Sequence, residues 1–132
     1  MRIALATGLA VVIAVPADLA IQAFARQAFS VPPEFEPFQG TAGPYTAGGV
    51  VLAGAVFALL PRLVRDPARA YVRVALVALV LSWVPDVALL AIHEPGATVP
   101  AVASLMVMHA VSAGIIVTLL LWIARPSMTG RS

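Results

Sequence analysis

Three ionisable side chains stand inside otherwise uncharged apolar runs: Asp18, Asp86 and His109. A charged carboxylate in such surroundings costs several kcal/mol, so the group turns to a protein interior or keeps its proton. A carboxylic acid that keeps its proton can donate it to a substrate. A neighbouring imidazole or second carboxylate can orient the donor and take a proton back. Each of the three has company at helical spacing. Gln22 follows Asp18 by four, Ser82 and Trp83 precede Asp86 by four and three, and Met106 and Ser112 flank His109 by three. Two aspartates and a histidine also suit a facial metal triad. Nothing in their local spacing calls for one, so neither metal nor other cofactor is expected. The structural alternative is that the three groups bond to one another and only fix helix packing.

Aromatic residues enlarge this picture. The segment Phe29-Ser30-Val31-Pro32-Pro33-Glu34-Phe35-Glu36-Pro37-Phe38 runs on through Gly40 to Tyr45. Its prolines disfavour a helix, and its aromatics are too many for a solvated linker. It reads as a lid over one end of the protein, with Phe35 or Phe38 pointing inward. Trp83, Phe35, Phe38 and Tyr45 would then shape an apolar chamber around the acids. Gln22, Ser82, Met106 and Ser112 would complete its wall.

The elements that carry these groups follow from composition. Of 132 residues, 61% are hydrophobic and 11% charged, and the mean hydropathy is +1.00. A soluble domain carries about a quarter charged residues and could not bury this much apolar surface. That excludes a cytosolic enzyme, a nucleic-acid-binding domain and a disordered tail. With no cysteine, disulfides and thiol chemistry are excluded too. A membrane helix needs about 20 apolar residues. The pattern predicts an all-α integral membrane protein, a single four-helix transmembrane domain with helices near 3–27, 45–64, 69–92 and 100–124 and a lid loop at 28–44. The first run is long for a signal peptide and holds Pro16 and Asp18, so it reads as a helix.

Arginine sets the expected orientation. One side would hold Arg2, Arg62, Arg65, Arg69, Arg73, Arg125 and Arg131, the other only Arg26. Both termini should therefore be cytoplasmic and the 28–44 and 93–99 loops outside. Counted from the outer helix ends, Asp18 and Asp86 would lie about 9 Å deep and His109 about 13 Å, at about 1.5 Å per residue. Gly48, Gly49, Ala53, Gly54 and Ala58, with Ala110 and Gly114, offer small surfaces for close helix contact.

The order of four spans, the Val31-Pro32-Pro33-Glu34-Phe35 loop, Ser82-Trp83-Val84-Pro85 and Met108-His109-Ala110-Val111 resemble a family of small actinobacterial four-helix membrane proteins, mostly of unknown function. The chain also resembles the membrane terpene cyclases of drimentine-type pathways, which cyclise a farnesyl group on a tryptophan-containing cyclodipeptide. That resemblance implies a cyclase of secondary metabolism, an isomerase or lyase, with a hydrophobic isoprenoid as substrate. The residues themselves fit this chemistry. Asp18 and Asp86 would be the acids, His109 would orient one of them or act as terminal base, and aromatic faces would stabilise cations. The alternatives are a non-enzymatic accessory protein, a small proton-coupled transporter using the acids as a relay, and a quinone- or lipid-binding protein.

Overall fold

A computed structural model describes residues 1–123. Among them the chain is all-helical, with α1 at Arg2–Ala28, α2 at Ala42–Leu63, α3 at Pro67–Ala91 and α4 at Val99–Ile123. A single 3-10 turn, Glu36–Phe38, interrupts the long connection between α1 and α2. All four helices are long and apolar enough to cross a membrane. At about 1.5 Å per residue even α2 is about as long as a hydrocarbon core is thick. Arg125 and Arg131, which contribute to the arginine bias, lie outside the described residues.

Local chemistry sets the helix ends. Asp66 caps α3 by accepting from the Arg69 backbone N–H at 3.2 Å, and Pro67 opens the helix, where a missing N–H costs nothing. Thr98 accepts from the Ala101 N–H at the start of α4. The start of α2 lies at Ala42, ahead of the expected residue 45, because Pro44 falls in the first turn, where the helix tolerates it.

Small residues decide which helices meet. Ala6, Ala10 and Ala14 are spaced by one turn along α1 and are fully buried. They form one core with Val50, Phe57 and Leu60 of α2, Tyr71 of α3, and Ile116 and Leu120 of α4. Their short side chains let α1 and α4 close on each other. Gly54 of α2 is buried against α1, and a Cβ there would collide with the Thr7 side chain. Gly49 differs from expectation. It is exposed with no neighbour for a Cβ, because it sits on the face of α2 that turns from α1. Gly48 and Gly114 likewise have open space beside them.

By contrast, α3 buries only Tyr71 and Asp86. Leu76, Val77, Val80, Leu81, Val84 and Val87 along it are exposed.

A second core closes the end of the bundle that carries the α1–α2 and α3–α4 connections. Phe35 and Phe38, with 0% and 1% exposure, pack with Ala25, Val31, Ala42, Ala101 and Met108. Gln22 Nε2 and Arg26 Nη2 both donate to the Phe38 carbonyl. The turn after α3 touches this loop directly. Gly96 has φ +77°, and a Cβ on it would come within 2.8 Å of the Phe35 backbone nitrogen.

Candidate functional site

A cavity of about 810 Å³ lies among α2, α3 and α4 and reaches Asp18 on α1. Its half nearer the connecting loops carries the polar groups: Asp18, Tyr45, Thr46, Ser82, Asp86, His109 and Ser112. The other half is walled by residues such as Val50, Ala53, Val56, Ala75 and Ile116, with Tyr71 at its end. Exposed Leu52 of α2 and Val74 of α3 also line it, so the space opens sideways between these two helices.

Four helices supply the polar end. Asp18 is 2% exposed, and its Oδ2 accepts from Thr46 Oγ1 at 2.6 Å and Ser112 Oγ at 2.8 Å. It therefore ties α1 to α2 and α4. Its Oδ1 is buried without a partner. Asp86, 5% exposed, lies with Oδ2 3.0 Å from His109 Nδ1. That nitrogen is also 3.1 Å from the Leu105 carbonyl, one turn earlier in α4. A proton on Nδ1 goes to that carbonyl, with Asp86 Oδ2 beside it but without a hydrogen-bond partner, and in the neutral ring it leaves Nε2 as the free base. Ser82 turns its hydroxyl to its own helix, donating to the Leu79 carbonyl at 2.7 Å.

Asp18, Asp86 and His109 thus border one space, but counting from helix ends misjudges their depths. α1 extends to Ala28, so Asp18 lies about 15 Å from that end and His109 about 15 Å from the start of α4. Asp86 lies only about 7.5 Å from the end of α3, yet it reaches His109. The helix ends are not level, so chain position alone misplaces the side chains.

Several residues expected in the chamber face elsewhere. Trp83 turns to α4, where Nε1 donates to the Met106 carbonyl at 3.1 Å. Neither Trp83 nor Met106 lines the cavity. Gln22 is drawn to the loop by the Phe38 carbonyl. Phe35 and Phe38 stack edge to face, 5.1 Å between centroids, inside the core under the loop and outside the cavity wall. Glu36 and Pro37 border the cavity in their place. Pro85 lines it while Pro16 is exposed. Tyr45 and Tyr71 are therefore the lining aromatics.

Tyr71 is the residue that sequence reasoning missed. A signal was available, because Tyr71, Ala75, Ala78, Ser82 and Asp86 are spaced at three or four and share one helix face. Tyr71 is 2% exposed and meets Phe57 edge-on, 4.8 Å between centroids. Its hydroxyl is buried without a partner.

Among the described residues no group of three or more His, Cys, Asp or Glu side chains is placed to hold a metal ion. No curated protein and no solved structure is significantly similar to the chain. Residues 1–126 do match a family whose signature spans all four helices, and the chain belongs to the Family of unknown function (DUF6069).

Proposed function

We propose that the chain is a membrane-embedded terpene cyclase that starts its reaction by protonating an isoprenoid chain. The observation that supports this reading is the meeting of two carboxyl groups and an imidazole at one end of an apolar, sideways-open cavity. A greasy substrate enters from the lipid between α2 and α3, with no aqueous channel.

Asp86 is the donor in this reading, and His109 holds it in place through Nδ1. Transfer of the Asp86 proton to an alkene carbon leaves the carboxylate on Asp86 and a tertiary cation on the chain. The next double bond attacks that cation, forming a ring bond and moving the charge along. Loss of a proton from a carbon beside the final cation to Asp18 Oδ1 or His109 Nε2 gives the product alkene. Return of that proton to Asp86 resets the site, so the reaction is an isomerisation with no net proton. Cation–π attraction at the acid end falls to Tyr45, since Tyr71 lies at the far end of the cavity, a smaller aromatic contribution than Trp83, Phe35 and Phe38 would have supplied.

The termini face the cytoplasm in this proposal, following the arginine bias. A reporter inserted near Pro67 should read cytoplasm and one near Gly40 the outside; a cytoplasmic Gly40 overturns the orientation. The activity test incubates membranes containing the protein with farnesylated indole substrates and identifies products by mass spectrometry and NMR. Cyclised product dependent on the protein supports the cyclase. Recovery of unchanged substrate alone, from correctly folded protein, overturns it.

A further inference from the structure

The cavity is long as well as apolar, and its two ends differ. Tyr71 and Asp86 lie on the same face of α3, about 22 Å apart at about 1.5 Å per residue, and both line the one cavity. The Tyr71 hydroxyl is buried with no hydrogen-bond partner, on a side chain 2% exposed. An unsatisfied buried hydroxyl is costly, and a ligand group that meets it recovers that cost. The walls between the two ends offer little polarity to compete, with Val74, Ala75 and Ala78 along α3.

We infer that Tyr71 is a binding site for the polar head of a chain-like ligand whose other end lies at Asp86 and His109. The inference rests on the cyclase reading for what happens at the acid end, but not for the binding itself. The head is a hydrogen-bonding group such as a hydroxyl, carbonyl or amide. It lies one turn inside α3, close to the end that carries Arg69 and Arg73. The tail runs toward the acids, which places the terminal alkene, and not the head, at the proton donor.

The distance acts as a ruler. An extended chain advances about 1.3 Å per carbon, given C–C bonds of about 1.5 Å. A geranyl chain then reaches about 10 Å, a farnesyl chain about 15 Å and a geranylgeranyl chain about 20 Å. Against about 22 Å, a bare farnesyl alcohol falls about 7 Å short, whereas a geranylgeranyl alcohol comes within about a hydrogen-bond length, and a ring system carried on a farnesyl chain makes up the difference.

The test is binding to the purified full chain in nanodiscs, with geraniol, farnesol and geranylgeraniol and with the hydrocarbon matching each. Each alcohol should bind more tightly than its hydrocarbon by about fivefold, with affinity rising with chain length as the tail fills the apolar cavity. Tyr71→Phe should remove that gain and leave hydrocarbon binding unchanged. Ala75→Phe, which fills the cavity beside Tyr71, should abolish the alcohol gain at every length. No alcohol gain at any length, or a gain that survives Tyr71→Phe, overturns the inference. If Tyr71→Phe does not fold, the wild-type length series and Ala75→Phe still decide it. Chain-length-dependent, Tyr71-dependent binding without turnover leaves this site standing and removes the cyclase. Turnover with no role for Tyr71 does the reverse.

Discussion

The bundle has one closed seam and one open one. Between α1 and α4, alanines at one-turn spacing bring the backbones together around a buried apolar core. Between α2 and α3 the helices stand apart, and the gap is the cavity. Both seams are built from apolar residues, so hydrophobicity does not separate them. Side-chain size does: between helices that are apolar on most faces, close packing decides which helices touch. The residues that line the open seam include Asp18, Tyr71 and Asp86, each with a buried polar atom that has no hydrogen-bond partner. Packing is looser on the side where the proposed substrate would enter.

The largest effect should come from the acids bordering the open seam. Asp86→Asn keeps the side chain's shape and removes the transferable proton. Turnover should fall by about 10² to 10⁴-fold, the range of a general acid, while the melting temperature in detergent changes little. Asp18→Asn should also lower turnover, and His109→Ala by less than loss of the donor, because it removes only positioning or proton uptake. Full turnover by both single Asn variants and by the double variant would end the mechanism.

Two glycines on α2 compare the seams directly. Gly54→Leu drives a side chain into Thr7, and overpacking of this kind costs about 1–3 kcal/mol. Gly49→Leu meets nothing and should stay within about 0.5 kcal/mol, while narrowing the cavity and weakening binding of long chains. Melting curves that fall equally for the two variants would show that the seams are not distinct.

The loop end offers a third comparison, since it is closed by backbone contact where the cavity is open. Gly96→Ala meets both a positive φ and the Phe35 backbone. A loss of about 1–3 kcal/mol is expected, read as a lower melting temperature. An unchanged curve would mean that the turn shifts freely and does not hold the loop.

The four helices were legible because long uncharged runs have few other solutions. The meeting of Asp18, Asp86 and His109 was legible for a related reason: ionisable groups in such runs must turn inward. Their neighbours were less so. Spacing placed Trp83 on the face of Asp86, but an indole N–H seeks an acceptor, and the Met106 carbonyl supplies one on α4. Gln22 likewise follows the Phe38 carbonyl. Gly49 and Gly54 look alike in sequence, and only the direction of α1 tells them apart. Helix periodicity gives a face; the partner that the face finds depends on how four helices are arranged.

The smallest effect belongs to the hydroxyls that join the two seams. Asp18 extends from the closed α1–α4 seam, and both Thr46 and Ser112 donate to its Oδ2. Ser112→Ala and Thr46→Val each remove one donor from a buried carboxyl group. A single hydrogen bond of this kind contributes about 1 kcal/mol net, so each variant should melt slightly lower. The two donors share one acceptor atom, so the double variant should depart from the sum of the singles. If Asp18 acts only as a packing link, the variants should lower stability with turnover per folded molecule unchanged. If Asp18 accepts the final proton, loss of either donor should alter turnover as well, because the carboxyl group that receives the proton is no longer held in place. Unchanged stability and turnover in all three variants would separate Asp18 from both seams and leave Asp86 and His109 as the working pair.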